Sequence, residues 1–397
     1  MQPSVMEHRR LLLKFLLGSP LLSLGCTPTE QKTTIATPSL EDLITKASDA
    51  INIFDFEKIA NQKLPPAHLG YLTTGVRDNF TRDANQEAYR AIKLSLHRLI
   101  DTRNVDMTTT LFGKRWPTPL FLSPLSSQHA FHEDGELATA RAAKAKNHLQ
   151  ILSTVTTESV EDVSKERGEP VWYQLYPLTE WEGTLKMIRR AEATGCEVLV
   201  VTVDLVGGTS NRETLDRMSR IDTRTCTNCH SGNRFERKPM LAGIKDPEMD
   251  RIVTWEMLDK IKSSTKMKVI VKGIERADDA ALCVTRGMDG IVVSNHGGRA
   301  GETARGTIEA LPDIAAIVKK RIPVLIDGGV RRGTDIFKAL ALGADAVGIG
   351  RPYIWGLTAF GQEGVETVLT LLVREFELAM QQAGTRTLQE INRNFIA

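Results

Sequence analysis

The stretch Cys226-Thr-Asn-Cys229-His230 has the spacing of a reactive group or a cross-link. A Cys-x-x-Cys-His motif can attach a c-type haem, hold a metal ion, or close a short disulfide between its cysteines. The chain has only five cysteines, so two of them this close to each other and to a histidine indicate a function. The motif alone leaves haem, disulfide and metal open.

Polar residues recur where apolar runs of the sequence end. Five consecutive runs end in this way: the first at Gln174 and Tyr176, the second at Thr202 and Asp204, the third at Lys272, the fourth at Ser294, Asn295 and His296, and the fifth at Asp327. A single polar residue in such a position is ordinarily a satisfied structural group. Five runs in succession are much harder to explain in this way, and they predict one shared site at the ends of these runs.

Two glycine-containing turns each carry an arginine. They are DGGVRRG, from Asp327 to Gly333, and GRP, from Gly350 to Pro352. Glycines let backbone N–H groups approach an anion, and Arg331 and Arg351 add positive charge, so the pair suits a phosphate. A nicotinamide dinucleotide fits less well, because no apolar run is followed by a complete G-x-G-x-x-G.

The elements that must position these residues are short apolar runs separated by helical patterns. The runs begin at 120, 149, 171, 198, 268, 290, 324 and 346, and they are continuously apolar, as in strands buried on both faces. Helical patterns lie between them, for example Glu136–Lys146 and Thr179–Ala193. Eight such units predict an α/β fold, a (β/α)₈ TIM barrel with an N-terminal helical extension and a long loop after strand 4, whose site lies at the carboxyl ends of the strands.

The connection between the fourth and fifth runs is the longest, about 70 residues from the start of one to the start of the other by the same pattern. It contains Cys226, Cys229 and His230. Connections that follow barrel strands lie on the catalytic face. The motif is therefore expected above the active site or close to it.

The first 26 residues have the composition of a targeting signal. Arg9 and Arg10 precede an apolar run and small residues that end at Cys26, a pattern that resembles a twin-arginine export signal followed by a lipoprotein cleavage box. An uncleaved amphiphilic N-terminus is the alternative. We therefore predict an export signal at 1–26, a linker at 27–50 and the barrel at 51–397, with the protein in the periplasm and a lipid anchor on Cys26.

The charge of the chain argues against nucleic acid as a partner. Lysines and arginines exceed aspartates and glutamates by only +2 over 397 residues, and no basic stripe with interleaved aromatics occurs. The chain is 41% apolar and 25% charged, which is typical of a protein with a full hydrophobic core.

Several motifs together resemble one family. They are SNHGGR (294–299), LIDGGVRRGTDIFKALALGA (325–344), QLY (174–176), TVD (202–204) and VKG (271–273). This combination is similar to the FMN-dependent α-hydroxy-acid oxidases and dehydrogenases, which include glycolate oxidase, lactate oxidase, mandelate dehydrogenase and the flavocytochrome lactate dehydrogenases. The resemblance extends from about Ile53 to the C-terminal helix.

The resemblance implies a catalytic pair and a substrate-binding group. His296 would be the base that takes a proton from the substrate, and Asp204 would hold and stabilise its imidazole. Arg212 and Arg299 would bind the substrate carboxylate, which guanidinium groups recognise in a bidentate manner. Tyr71 would donate to the same carboxylate, and Tyr176 would lie near the substrate hydroxyl.

The resemblance also implies where FMN binds. Lys272 would lie beside the flavin N1 and C2 carbonyl, where a cation stabilises the reduced form. The remaining expected contacts are Pro124, Leu125, Ser126, Ser153, Gln174, Thr202 and Ser294 to the flavin and its chain, and Asp327, Gly328, Gly329, Val330, Arg331, Gly350 and Arg351 to the phosphate end.

The implied reaction is oxidation of an L-2-hydroxy acid, lactate- or glycolate-like, to the 2-oxo acid. The exported N-terminus favours a quinone or a cytochrome as electron acceptor, and haem c at Cys226 and Cys229 would give the electrons a path. Use of oxygen, with release of hydrogen peroxide, is the alternative, and a non-catalytic ligand-binding barrel is a distant one. By the same resemblance we expect a homotetramer.

Two residues depart from the family pattern. Ser126 stands where glycolate and lactate oxidases usually carry alanine, close to the flavin and the substrate side chain. Val155 replaces a tryptophan of glycolate oxidase, which enlarges the side-chain pocket. Ser126 therefore bears on the size of the substrate and on the access of oxygen, and Val155 bears on the size of the substrate side chain.

Overall fold

The computed structural model describes residues 44–206, 212–224 and 238–397. The predicted export signal, Cys26 and the Cys226, Cys229 and His230 motif lie outside these residues. The described residues belong to one compact unit, Leu40–Ala397.

The described chain forms the predicted closed barrel of eight parallel strands. The barrel strands are β3 (Leu120–Leu122), β4 (Leu149–Leu152), β5 (Trp172–Leu175), β6 (Val198–Thr202), β7 (Lys268–Ile274), β8 (Gly290–Val293), β9 (Val324–Ile326) and β10 (Ala346–Ile349). Their order around the barrel is β10-β3-β4-β5-β6-β7-β8-β9, and the barrel closes because β10 pairs with β3. Most of their side chains are buried on both faces, which is why the sequence shows unbroken apolar runs.

Helices follow the barrel strands and cover the sheet. Those from the first strand onward are α4 (Gly135–Lys146), α5 (Val160–Arg167), α6 (Trp181–Ala193), α7 (Glu213–Ile221), α8 (Trp255–Ser263), α9 (Ala277–Thr285), α10 (Thr307–Val318), α11 (Gly333–Ala341) and α12 (Arg351–Ala383). The last is kinked at Phe360 and Gly361, where the backbone leaves helical geometry. Helix α6 begins at Trp181 and not at Thr179 as the pattern predicted, because the Thr179 N–H donates to the carbonyl of Glu248 at 2.9 Å.

An N-terminal extension precedes the barrel, as predicted. It contains α1 (Ile53–Lys63), α2 (Pro66–Thr73), α3 (Phe80–Ala91) and a hairpin of β1 (Thr109–Leu111) and β2 (Lys114–Trp116). The long connection between β6 and β7 is also confirmed, and its helix α7 packs on α2. A side chain at Gly70 of α2 would approach Met218 of α7 to 3.0 Å.

The hairpin closes one end of the barrel. Leu111 and Trp116 from the hairpin form a buried cluster with Phe121, Trp172 and other inward-facing residues from the amino-terminal halves of the strands. A second and larger core lies between the strands and the helices. Since one end is filled with apolar side chains, the ligand site is left at the carboxyl ends of the strands.

No helix in the described ranges is long and apolar enough to cross a membrane. Cys196 and Cys283 are buried free thiols, and burial raises the pKa of each to about 12. Neither is therefore suited to act as a thiolate ligand or nucleophile.

Candidate active site

A cleft opens at the carboxyl ends of the barrel strands and contains about 780 Å³ of space, part of it open to solvent. The structure brings most of the predicted site residues to its walls. They are Tyr71, Pro124, Leu125, Ser126, Tyr176, Lys272, His296, Arg299, Asp327, Gly328, Gly329, Val330, Arg331, Gly350 and Arg351. The remaining predicted residues, Asp204, Arg212, Ser153, Gln174, Thr202 and Ser294, do not line the cleft.

His296 and Asp204 form a hydrogen-bonded pair at the base of the cleft. The Nδ1–H of His296 donates to Asp204 Oδ1 at 2.7 Å, which leaves Nε2 directed to other partners. Asp204 is buried, and burial alone would raise its pKa. The charges of His296 and then Lys272 outweigh burial and hold the pKa of Asp204 below its ordinary value, so the carboxylate stays ionised.

Tyr176 lies against the Nε2 side of the His296 ring. Its hydroxyl is 3.3 Å from His296 Nε2, and the two rings are stacked with their centroids 6.4 Å apart. Burial, and then the negative charge of Asp204, raise the pKa of Tyr176 well above its ordinary value. The hydroxyl therefore keeps its proton and remains able to donate a hydrogen bond.

Two arginines lie over the ring of Tyr71, which α2 carries into the cleft. The guanidinium carbon of Arg299 is 4.5 Å and that of Arg212 is 5.6 Å from the ring centroid. Desolvation of the half-buried Arg299, together with the charge of Arg212, lowers the pKa of Arg299 to about 10. Arg299 donates through Nη1 to the carbonyls of Tyr71 and Thr74, whereas its buried Nη2 has no partner among the described residues. An anion in the cleft would supply one.

Lys272 connects two of the carboxylates. Its Nζ is 2.6 Å from Ser294 Oγ, 3.4 Å from Asp327 Oδ2 and 3.9 Å from Asp204 Oδ2. Ser294 donates in turn to Asp327 Oδ1 at 2.6 Å, and Ser123 donates to Asp327 Oδ2 at 3.1 Å. The lysine is 4% exposed, so it is a fixed cation in the wall of the cleft.

The predicted phosphate end lies between two helix N-termini. Helix α11 begins at Gly333 and α12 at Arg351, directly after the two glycine-containing turns. Burial is the main reason why the pKa of Arg331 falls to about 10, and its Nε lacks a hydrogen-bond partner within the described ranges. A side chain at Gly350 would meet no atom within 4 Å. The turns thus leave room for an anion beside a guanidinium group and backbone N–H groups.

Two of the predicted flavin contacts, at the carboxyl ends of β5 and β6, carry unsatisfied polar atoms. Gln174 Nε2 and Thr202 Oγ1 are buried and have no partner in the part of the chain that the structure describes. Ser153 holds Gln174 in place by donating to its Oε1 at 3.1 Å. Buried donors without partners are costly, so these atoms fit a ligand with hydrogen-bonding edges, as a flavin has. The residues present therefore fit FMN.

Three residues that sequence reasoning missed contribute to the site. They are Asn85, whose side chain hydrogen-bonds to Asn295; Ser123, which donates to Asp327; and Lys238, which donates to Ser127. Asn85 and Lys238 lie outside the strand ends from which the site was predicted. Ser123 follows β3 directly and could have been included by the rule that selected Gln174 and Thr202.

Comparison with known proteins identifies the family. The model of the FMN-dependent dehydrogenase family matches residues 60–397. The chain is 37% identical to glycolate oxidase of Spinacia oleracea, over 87% of this chain and 95% of that protein. It is 36% identical to an L-lactate oxidase of Lysinibacillus sphaericus, with coverage of 88% and 93%.

Solved structures agree with this match. Mandelate oxidase with benzoyl-formic acid superimposes with a TM-score of 0.79 at 34% identity, over 87% of this chain and 97% of that one. The resemblance inferred from the motifs is thereby confirmed, and so is the barrel. This chain is a member of the FMN-dependent dehydrogenase family, that of the FMN-dependent 2-hydroxy-acid oxidases and dehydrogenases, and FMN is its cofactor.

Proposed function

We propose that the protein oxidises an L-2-hydroxy acid to the 2-oxo acid with His296 as the base. The observation that carries this proposal is the position of His296, held by Asp204 on one side and 3.3 Å from the Tyr176 hydroxyl on the other, in the cleft that fits FMN. The substrate loses two electrons and two protons. Bound FMN would supply the oxidising power by accepting the two electrons and one of the protons, and His296 would take the other proton.

His296 is arranged to accept a proton at Nε2. Asp204 accepts a hydrogen bond from Nδ1–H, which fixes the tautomer with a lone pair on Nε2. Once Nε2 is protonated, the same carboxylate stabilises the positive imidazolium. Tyr176 can donate to the substrate oxygen that becomes the carbonyl, because its hydroxyl keeps its proton.

Arg299 and Arg212 orient the substrate through its carboxylate. A guanidinium group offers parallel N–H donors that match the two oxygens of a carboxylate. The Arg299 Nη2 that lacks a described partner is suited to this contact, and Tyr71 lies beneath both arginines. With the carboxylate held, C2 and its hydroxyl are directed towards His296.

The experiment that tests this proposal is anaerobic reduction of the FMN-loaded protein. We expect the yellow flavin band to bleach on addition of L-lactate or glycolate and not of D-lactate. His296→Asn should slow bleaching about 10²- to 10⁴-fold, since that is the usual contribution of a general base. The exposed His97→Asn is the matched control and should bleach at the wild-type rate. A loaded protein that no 2-hydroxy acid bleaches would contradict the proposal.

For the electron acceptor and the location, we propose export to the periplasm and transfer to a quinone or a cytochrome. The support is the N-terminal sequence, with Arg9, Arg10 and Cys26 in the order of an export signal and a lipidation site. The oxidase names of the relatives favour oxygen as the alternative acceptor. Stopped-flow reoxidation of the reduced protein by air, by a quinone analogue and by cytochrome c separates these acceptors. Reoxidation by air as fast as by the others would contradict the respiratory proposal.

The Cys226, Cys229 and His230 motif stays a prediction, as does the homotetramer. A covalent haem would give a Soret band that survives denaturation and disappears in Cys226→Ala. A disulfide would instead give no Soret band and no free thiol at these positions, and a metal site would give bound metal in elemental analysis. Light scattering on the purified protein measures the number of subunits.

A further inference from the structure

The C-terminal end of α2 is held by arginines. An α-helix leaves the carbonyls of its last turn without partners inside the helix. At the end of α2 these carbonyls accept hydrogen bonds from three guanidinium groups: those of Tyr71 and Thr74 from Arg299, those of Leu72 and Thr74 from Arg351, and that of Thr73 from Arg82. Positive charge is favourable at a helix C-terminus, so the three arginines fix the end of the helix that carries Tyr71.

Arg82 differs from the other two arginines in its position. Arg299 and Arg351 line the cleft, where the substrate carboxylate and the FMN phosphate are expected, whereas Arg82 is not among the residues that line it. Arg82 belongs to α3, and its Nη1 donates to the Thr73 carbonyl at 2.8 Å. Its Nε and Nη2 are each 2.7 Å from Asp83 Oδ1. The hydrogen bond of Arg82 to α2 is therefore set by α3 and does not depend on a ligand in the cleft.

The backbone of Arg82 packs on the loop that carries His296. A side chain at Gly298, two residues after His296, would approach the Arg82 Cα and N atoms to 2.4 Å. The Gly298 carbonyl accepts a hydrogen bond at 3.0 Å from the N–H of Val76, which lies just beyond α2. Arg82 thus contacts both the end of α2 and the loop that carries His296.

The charge of Arg82 acts on its neighbours. Desolvation, and then the charges of three other arginines, hold the pKa of Arg351 well below its ordinary value, and Arg82 is one of the three. Cations this close repel one another, and the carbonyl oxygens at the end of α2 offset the repulsion with their partial negative charge. An uncharged side chain without a donor at position 82 would avoid the repulsion, but it could not hold the Thr73 carbonyl.

We infer that Arg82 is a positioning residue for substrate binding, which fixes the end of α2 so that the Tyr71 hydroxyl lies where the substrate carboxylate binds. Tyr71 precedes Thr73 by two residues and lines the cleft, with its ring centroid 4.5 Å from the guanidinium carbon of Arg299. Arg82 acts through Tyr71 and not on the substrate directly. This inference rests on the proposed oxidation of a 2-hydroxy acid and adds a residue to its substrate site.

The test compares Arg82→Met with the wild type by steady-state kinetics, with both proteins saturated with FMN. A small displacement of a binding group costs up to about 10²-fold, so we expect KM for the 2-hydroxy acid to rise about 10-fold. The kcat should be unchanged, because the pair of His296 and Asp204 is not altered. Arg82→Lys keeps a cation and a donor at the end of α2 and should restore most of the wild-type KM. Arg90→Met removes an exposed charge from the same helix and is the matched control, with an unchanged KM.

A double-mutant cycle separates positioning from a general structural effect. Tyr71→Phe removes the hydroxyl through which Arg82 is inferred to act, so Arg82→Met should raise KM much less in the Tyr71→Phe background than in the wild type. Propionate binds without turnover because it has no hydroxyl. Its dissociation constant, measured by the perturbation of the flavin spectrum, should follow the same pattern. A general loss of structure would instead weaken binding by the same factor in both backgrounds.

The outcomes separate the two proposals. An Arg82→Met variant with the wild-type KM, or with the same rise in KM in both backgrounds, overturns the positioning role and leaves the oxidation intact. Failure of every 2-hydroxy acid to bleach the flavin of the wild type overturns the oxidation itself. If Arg82→Met does not retain FMN, Arg82→Gln, which removes the charge and keeps a polar side chain, replaces it in both backgrounds.

Discussion

The side-chain amides of Asn85 and Asn295 hydrogen-bond to each other in both directions. Asn85 Nδ2 donates to Asn295 Oδ1 at 2.9 Å, and Asn295 Nδ2 donates to Asn85 Oδ1 at 3.0 Å. Asn85 belongs to α3 of the N-terminal extension, and Asn295 directly precedes His296. His296 has a φ of +59°, a conformation that costs a non-glycine residue of order 1–3 kcal/mol and persists only where its surroundings enforce it. The amide pair ties the backbone of the catalytic loop to the extension.

We expect Asn85→Ala to lower kcat about 10-fold and the free energy of unfolding by about 1–3 kcal/mol, because it removes both hydrogen bonds of the pair and the acceptor of the buried Thr307 N–H. Steady-state kinetics and urea unfolding of the FMN-loaded protein measure both. Asn394→Ala changes an exposed asparagine and should alter neither. If Asn85→Ala loses stability and keeps the full kcat, the pair is structural and does not position His296.

The two terminal nitrogens of Arg299, Nη1 and Nη2, are occupied differently. Nη1 is engaged by the carbonyls of Tyr71 and Thr74, and Nη2 is left for the substrate. Lysine cannot make both contacts, so Arg299→Lys should raise KM for the 2-hydroxy acid about 10- to 100-fold. Arg305→Lys, on the same loop, serves as the matched control and should keep KM. An unchanged KM in Arg299→Lys would mean that the carboxylate binds elsewhere.

The position of Lys272 predicts an effect on the FMN potential. A buried cation fixed by Ser294 and Asp327 favours the negatively charged reduced flavin. Lys272→Met should therefore lower the midpoint potential by about 30 mV or more, the equivalent of about 1.4 kcal/mol for a two-electron couple. Spectroelectrochemistry measures the shift. Lys268→Met, at the exposed start of the same strand, should leave the potential unchanged. A normal potential in Lys272→Met would exclude the lysine from this role.

The fold was predictable because its signals are local in the sequence. Each barrel strand is buried on both faces and therefore reads as an unbroken apolar run, and Gln174, Thr202 and Lys272 follow from their positions at the ends of such runs. Asn85 and Lys238 could not be found in this way. Their partners, Asn295 and Ser127, are 210 and 111 residues away in the chain, and only the folded topology brings them together.

The last prediction concerns His148, near the start of β4, and stability at acidic pH. Its Nδ1 lies 3.1 Å from the carbonyl of Leu120 and 3.3 Å from Thr118 Oγ1. Burial, aided by the positive charges of Arg167 and Lys146, lowers its pKa from 6.5 to about 4, although the Leu120 carbonyl opposes this. The native state therefore holds His148 neutral at a pH where the unfolded chain has already bound a proton.

This difference determines the sign of the pH dependence. The contribution of His148 to stability is complete above pH 6.5 and is lost as the pH falls towards about 4, because only the unfolded state gains a proton in that window. The largest loss is about 3 kcal/mol, since each pKa unit is worth about 1.4 kcal/mol. His148→Gln should be less stable than the wild type at pH 7, and its free energy of unfolding should fall less between pH 6.5 and 4. Urea unfolding at several pH values measures both slopes, with the exposed His97→Gln as control. Equal slopes for His148→Gln and the wild type would mean that folding does not shift the pKa of His148.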